Sequence, residues 1–413
     1  MSTETAPSFR STPRGSFRPV FYITAAHMAL DFYMVLTPPL WAFFQSHYNL
    51  TVAQFAYLPT VIVFCGSIAQ PFMGYFSDGR DRMALAALGL FATGIFVSCI
   101  GFAPTVYILA AFLIFASFGS SLFHPTAGGL VTALTPHRAN LAMAIFLTGG
   151  TLGMALASIT GTQIVERYGI EYLWLIVIPA LILAPFILWQ SRKVPVHERR
   201  VTAGKIDFSI LRNTRSLRTL FAFLNKTHSL WTLFAISVLR SIIHTGFVSF
   251  TAILGASRGW TTSEIGWVFS CYLLSSTLGR ITGGYLADRM SQRKLLAFSC
   301  ASSAIFHAGF CLTDGYVSLI SFFVAGYLFD LGITTNISLA QRALPHNTST
   351  ATGLVMGFSW SMAGLAMIGV GSLAEWTSTA TALVVVSMVL IPAAFLVALL
   401  PSEYGEVVRS GKK

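Results

Sequence analysis

Apolar runs of membrane-spanning length, broken by short polar or turn-rich segments, recur along the whole chain. A spanning helix needs about 20 mostly apolar residues. Twelve runs meet that requirement, at residues 19–44, 53–76, 83–102, 105–133, 139–164, 170–190, 228–254, 262–286, 295–312, 316–341, 350–373 and 378–400. The pattern predicts an all-α membrane protein of twelve transmembrane helices. Its connections are short except for residues 191–227, which hold nine Lys and Arg. That stretch reads as a cytoplasmic linker, and its apolar Ile206, Phe208, Leu211 and Leu217 would let part of it lie on the membrane surface as an amphipathic helix. The chain then divides into a tail (1–18), a six-helix unit (19–190), the linker (191–227), a second six-helix unit (228–400) and a tail (401–413).

Composition removes the competing classes. The 413 residues are 54% hydrophobic and 10% charged, with mean hydropathy +0.70. A soluble domain carries roughly 25% charged residues, so an ordinary cytosolic enzyme, a disordered chain and a coiled coil are excluded. The net charge of +11 is a record of orientation, not of nucleic-acid binding. With the N-terminus in the cytoplasm, 22 of the 26 Lys and Arg fall on inside segments and two, Arg167 and Arg258, on outside loops. The remaining two, Arg240 and Arg280, lie within spans. Both termini are therefore expected inside, with an even helix count. Cys65, Cys99, Cys271, Cys300 and Cys311 lie in apolar stretches without metal or CxxC spacing, and read as small packing residues. No Walker A, HExxH or GxSxG sequence occurs. The expectation is a polytopic membrane protein that is not an enzyme, has no cofactor and no resident metal, and whose first partner is the lipid bilayer.

Two loops match across the linker. Gly74-Tyr-Phe-Ser-Asp78 follows the second run and Gly284-Tyr-Leu-Ala-Asp288 the eighth, at the same offset. The chain thus reads as two pseudo-symmetric six-helix bundles. At these residues it resembles the Major Facilitator Superfamily. Gly74, Asp78 and Arg82 look like that family's motif A, and Gly284 and Asp288 like a degenerate copy, with Gln292 where Arg is expected and Arg293 one position later. Gly149-Gly150-Thr-Leu-Gly153 is similar to the glycine-rich antiporter motif C without its proline. Within the superfamily the chain resembles fosmidomycin-resistance type drug exporters. The resemblance rests on Ala26-His27 to Asp31, Gln70-Pro71 to Gly74, Gly119-Ser120-Ser121 to His124-Pro125, Ala144-Ile145-Phe146, Gly353 to Phe358, and Leu373 to Ser378. It departs in Thr126, where those exporters carry Glu, and in presenting Arg240 and His244 on the seventh run. The resemblance implies alternating access, a bacterial inner-membrane location, a monomer, and a role for the motif A residues (Gly74, Asp78, Arg82, Gly284, Asp288) in closing the cytoplasmic side.

Among fifteen acidic residues only Asp31 and Asp330 lie deep within runs, near the bilayer midplane. An ionised carboxylate there costs about 2.5–3.5 kcal/mol on insertion scales, so it must face a wet cavity, pair with a cation, or be protonated. His27 stands one helical turn before Asp31 and shares its face. The two form a candidate proton-coupling site, against a purely structural hydrogen bond for His27. His124, followed by the helix-bending Pro125, either lines a cavity or bonds a freed carbonyl. Arg240, one turn from His244, needs an anion: Asp330, Asp31 or the substrate. The candidate substrate residues are His124, Arg240, His244, Asp330 and Tyr33, with Phe247, Tyr272, Phe358 and Trp360 as possible aromatic lining. His307 reads as structural, and Gln70 and Arg280 as braces of the cytoplasmic loops. The expected function is proton-coupled export of a small organic compound. The alternatives are a carrier of an organic anion or metal–chelate using Arg240, His124 and His244, and a non-transporting membrane receptor or enzyme.

Overall fold

The computed structural model describes residues 18–77, 80–135, 139–194, 217–343 and 351–401, and among these there is no strand. Twelve long helical segments follow one another: α1 (Arg18–His47), α2 (Val52–Ser77), α3 (Arg82–Ser98), α4 (Val106–Leu134), α5 (Ala139–Tyr168), α6 (Ile170–Ser191), α7 (Leu217–Ser257), α8 (Thr262–Ala287), α9 (Gln292–Leu312), α10 (Gly315–Ala343), α11 (Gly353–Trp376) and α12 (Thr379–Ala398). α1 is interrupted at Pro38–Leu40, where consecutive prolines lack the N–H that a helix interior requires. α7 starts at Leu217, inside the stretch expected to be linker, although its membrane-competent part starts at His228. Residues 195–216 of that linker lie outside the described residues.

Eleven of the twelve are long and apolar enough to cross a membrane. The other, α8, has the length, at 26 residues, but is rich in Ser and Thr. Its hydroxyls stay satisfied without water. Thr277 and Thr282 donate to the Leu273 and Leu278 carbonyls one turn back, and Ser270 donates to the Ala155 carbonyl of α5. Hydroxyls bonded in this way are tolerated at membrane depth.

The packing repeats at an offset of six helices. α1 packs on α5 as α7 does on α11, α2 on α4 as α8 on α10, and α3 on α4 and α6 as α9 on α10 and α12. This is a two-bundle fold with twelve helices. The halves meet along two equivalent seams, α2 on α11 and α5 on α8. Small residues let the backbones approach there, with Gly364 against the Thr60 carbonyl and Gly266 against that of Ser158.

Both seams are tied at the face away from the termini. Glu166, at the end of α5, accepts from Ser263 N in the first turn of α8 at 2.5 Å, and Glu375, at the end of α11, accepts from Ala53 N in the first turn of α2 at 3.0 Å. Each carboxylate meets the positive end of a helix from the opposite half. Away from that face the α5–α8 seam parts: along one stripe of α5, Ala155, Ser158 and Thr162 are buried, Thr151 is half-buried, and Thr148 and Ala144 are exposed. The double variant Glu166→Ala/Glu375→Ala is therefore expected to open the tied face more often. Spin labels on cysteines at Tyr172 and Tyr316, with native cysteines replaced, should show a several-fold larger long-distance population. An unchanged distribution would remove these two contacts as determinants of closure.

Candidate functional site

In the first half the site is built by α1, α4 and α5. His27 and Asp31 share one face of α1, with His27 Nε2 at 3.2 Å from Asp31 Oδ2, and His124 Nε2 on α4 approaches the other oxygen, Oδ1, at 3.2 Å. Asp31 is 3% exposed. The far side of each ring is also held. His27 Nδ1 lies 2.8 Å from the Phe146 carbonyl, and the ring stacks on Phe146 with centroids 3.9 Å apart. His124 Nδ1 lies 3.0 Å from the Ser120 carbonyl and 3.1 Å from the Ser120 hydroxyl. Close approach of α5 depends on its glycines: Gly149 faces Thr24, Gly150 faces His27 and Asp31, and Gly153 faces the Met28 carbonyl.

These contacts bear on where the ring hydrogens sit. A carbonyl accepts only, so His27 Nδ1 must carry a hydrogen. In a neutral ring Nε2 would then be a lone pair facing a carboxylate lone pair, a repulsive contact in a dry setting. A proton shared between His27 and Asp31 would turn this approach into a hydrogen bond. His124 has no such constraint, because Ser120 presents both an acceptor and a hydroxyl. Among the described residues, these three side chains also form the group able to hold a metal ion, with ligand atoms within 4.8 Å of one another. The two Nε2 atoms meet different carboxylate oxygens, which suits two separate hydrogen bonds.

In the second half the polar cluster lies on α7, α8, α10 and α11. Asp330 forms its ion pair with Arg280, Nη2 to Oδ2 at 2.7 Å. Arg280 is thus not a brace of the cytoplasmic loops but the partner of the deep carboxylate. Arg240, expected in the cavity, is buried instead. It donates to the Phe329 carbonyl at 2.5 Å and lies over the Phe329 ring at 4.3 Å. His244 is half-buried, its ring 4.9 Å from Trp360. Tyr33, also expected at the substrate, is fully buried; its hydroxyl donates to the Ile176 carbonyl at 2.7 Å and accepts from Ala180 N at 3.0 Å, bracing α1 against α6. Phe247 and Tyr272 are likewise buried, around His307, whereas Phe358 is 47% exposed. A π-helical turn over Gly353–Phe358, a local widening often found at functional positions, leads into this part of α11.

Of the motif A residues, Asp78 lies outside the described residues. Gly74 is half-buried and packs near Pro125, and Arg82 is buried against Gly129 of α4. The equivalent of Arg82 in the second copy, Gln292, is also buried and accepts from Arg342 of α10. The second copy therefore recruits its guanidinium from α10. Gly284 has open space where a side chain would stand, and Asp288 is exposed at the end of α8.

Sequence comparison agrees with this architecture. A family model described as Major Facilitator Superfamily matches residues 21–367 and 233–412. The fosmidomycin resistance protein of Escherichia coli (strain K12) is 24% identical over 378 residues, covering 88% of each chain. An uncharacterised MFS-type transporter of Bacillus subtilis (strain 168) is 24% identical over 390 residues, covering 92% of each. Among solved structures, an inward-facing, occupied bacterial homologue of the human lysosomal transporter Spinster superposes with a TM-score of 0.78 at 14% identity, covering 96% of this chain and 99% of the other. With two six-helix bundles, a polar cluster in each, and a family model spanning most of its length, this chain belongs to the Major Facilitator Superfamily and is an integral multi-pass membrane transporter.

Proposed function

We propose that the chain is a proton-coupled antiporter that exports a small organic compound by alternating access. In this reading it works as a monomer in a bacterial inner membrane, with both termini in the cytoplasm, and has no enzymatic activity. The observation that carries the proton role is the His27–Asp31 contact at 3.2 Å with His27 Nδ1 held by a carbonyl. A proton held between the two groups makes this contact attractive, and it sits where α1 packs on α5, the helix that also forms a seam with the other half. Losing the proton turns an attraction into a repulsion at that packing contact, which links protonation to helix position. Export fits relatives named for resistance, including a multidrug resistance protein of Escherichia coli (strain 55989 / EAEC) that is 26% identical over 161 residues. The 22-to-2 distribution of Lys and Arg supports the orientation.

The test is flux in proteoliposomes loaded with compounds that the expressed protein makes a transporter-deficient strain tolerate. An imposed pH gradient should drive the compound toward the acidic side, with protons moving the opposite way. Flux indifferent to the gradient, or compound and protons moving together, would reject antiport.

A further inference from the structure

We infer that the exported compound carries an anionic group, and that Arg280 is the side chain that receives it. This deepens the export reading above and rests on it. The second-half cluster holds two guanidinium ions, Arg240 and Arg280, and among the described residues at that depth one carboxylate, Asp330. Arg240 is turned onto the Phe329 carbonyl and ring and is 4% exposed, so its charge is a fixed background that a solute does not touch. Arg280 differs: its side chain is 33% exposed while that of its partner Asp330 is 5% exposed. Its described hydrogen bond runs through Nη2 to Asp330, and Nε is buried with no hydrogen-bond partner. A guanidinium has five N–H donors, so one carboxylate oxygen leaves donors unused.

The seam register places this residue opposite the proton site. Ser263 meets Glu166, Gly266 meets Thr162, and Ser270 meets Ala155, so α5 and α8 run antiparallel. Continuing that register brings Arg280 level with Ile145 and Phe146, the latter being the residue that holds His27. The first half repeats the arrangement of a buried acid with a part-exposed base, His124 being 33% exposed on Asp31 at 5%. A solute between the halves would meet His124 on one side and Arg280 on the other. Trp360, its ring beside His244, offers aromatic surface next to the second cluster. The chemistry that fits is an organic anion with an apolar or aromatic body and a carboxylate or phosphonate head, which a guanidinium fork binds with two parallel hydrogen bonds. Binding requires the head group to share or take Arg280 from Asp330.

The competition with Asp330 gives the test its sign. Purified protein in phosphatidylcholine nanodiscs, without a pH gradient, is titrated calorimetrically with benzoate, phenylphosphonate, benzyl alcohol and benzylamine. The parent should bind the two anions more tightly than the alcohol and the amine. Arg280→Gln should weaken anion binding by about tenfold or more, the scale of a charged hydrogen bond, and leave the alcohol unchanged. Asp330→Asn should strengthen anion binding, since it removes the competing carboxylate; a merely structural ion pair would not do so. Should Arg280→Gln fail to fold because it strands Asp330, the double variant Arg280→Gln/Asp330→Asn removes both charges and should fold yet lose the anion preference. No preference for anions in the parent, unchanged anion binding without Arg280, or weaker anion binding in Asp330→Asn would each overturn the inference. Proton-driven flux that depends on Asp31 would survive any of these results, so the two readings fail separately.

Discussion

Asp31→Asn is expected to abolish flux driven by a pH gradient while the protein still folds and inserts. Asn has the shape of Asp and keeps an oxygen acceptor. Its amide can donate to the Nε2 lone pair of a neutral His27, the ring whose other nitrogen is fixed on the Phe146 carbonyl. Its oxygen can accept from His124, whose Ser120 hydroxyl permits the required tautomer. The variant thus presents a satisfied, uncharged cluster with α1 packed on α5, and because His27 is neutral in it no uncompensated buried charge is left behind. What it lacks is the alternation between a protonated, attractive contact and a deprotonated, repulsive one. Driven flux should fall to the leak level, a loss of about 100-fold or more on the scale of removing a proton-transfer group. Downhill exchange of the compound should persist. Proteoliposome flux with and without the gradient, beside a thermal unfolding curve, measures both; full pH-driven flux in Asp31→Asn would show that the coupling proton sits elsewhere.

The twelve spans were legible because hydrocarbon demands long apolar runs, and the two-half plan because the Gly74 and Gly284 loops repeat at a fixed offset. Asp31 and Asp330 stood out as carboxylates where carboxylates are costly. Which way a side chain points was not legible. Helices that are apolar all round have no contrast between lipid, core and cavity faces, so Tyr33 and Arg240 read as cavity residues although both are buried in helix contacts. Pairings across helices were hidden for the same reason. The His124–Asp31 contact joins residues 93 apart in sequence and Arg280–Asp330 joins residues 50 apart. The one available signal for the latter was that Arg280 is, with Arg240, one of two cations inside a span. The pairing of Gln292 with Arg342 also had a sequence trace, the missing arginine in the second loop copy.

The glycine run of α5 should separate folding from transport within one helical turn. A Cβ built on Gly153 overlaps the Met28 carbonyl oxygen and comes within 2.8 Å of its carbon. Those are backbone atoms of a packed helix and no rotamer change relieves the clash, so α1 and α5 must move apart. Their separation would break the His27–Phe146 hydrogen bond and stack and leave the α1–α5 face poorly packed. Overpacking of this kind typically costs about 1–3 kcal/mol, occasionally more, and the lost contacts add to it. Gly153→Val should therefore lower both the yield of inserted protein and its unfolding temperature. Gly150→Ala meets different atoms: its Cβ falls on the Asp31 carboxylate and the His27 ring, which are side-chain ends able to turn. The bundle should stay folded while the two groups are pushed out of their 3.2 Å contact, so pH-driven flux should drop about tenfold or more, as for a misplaced catalytic group, with little change in the unfolding curve. The pair is informative because both positions lie on the same face of α5 and differ in what they touch. If Gly150→Ala unfolds the protein as readily as Gly153→Val, the run is a packing stripe alone. If Gly150→Ala retains full driven flux, the distance between His27 and Asp31 does not govern coupling.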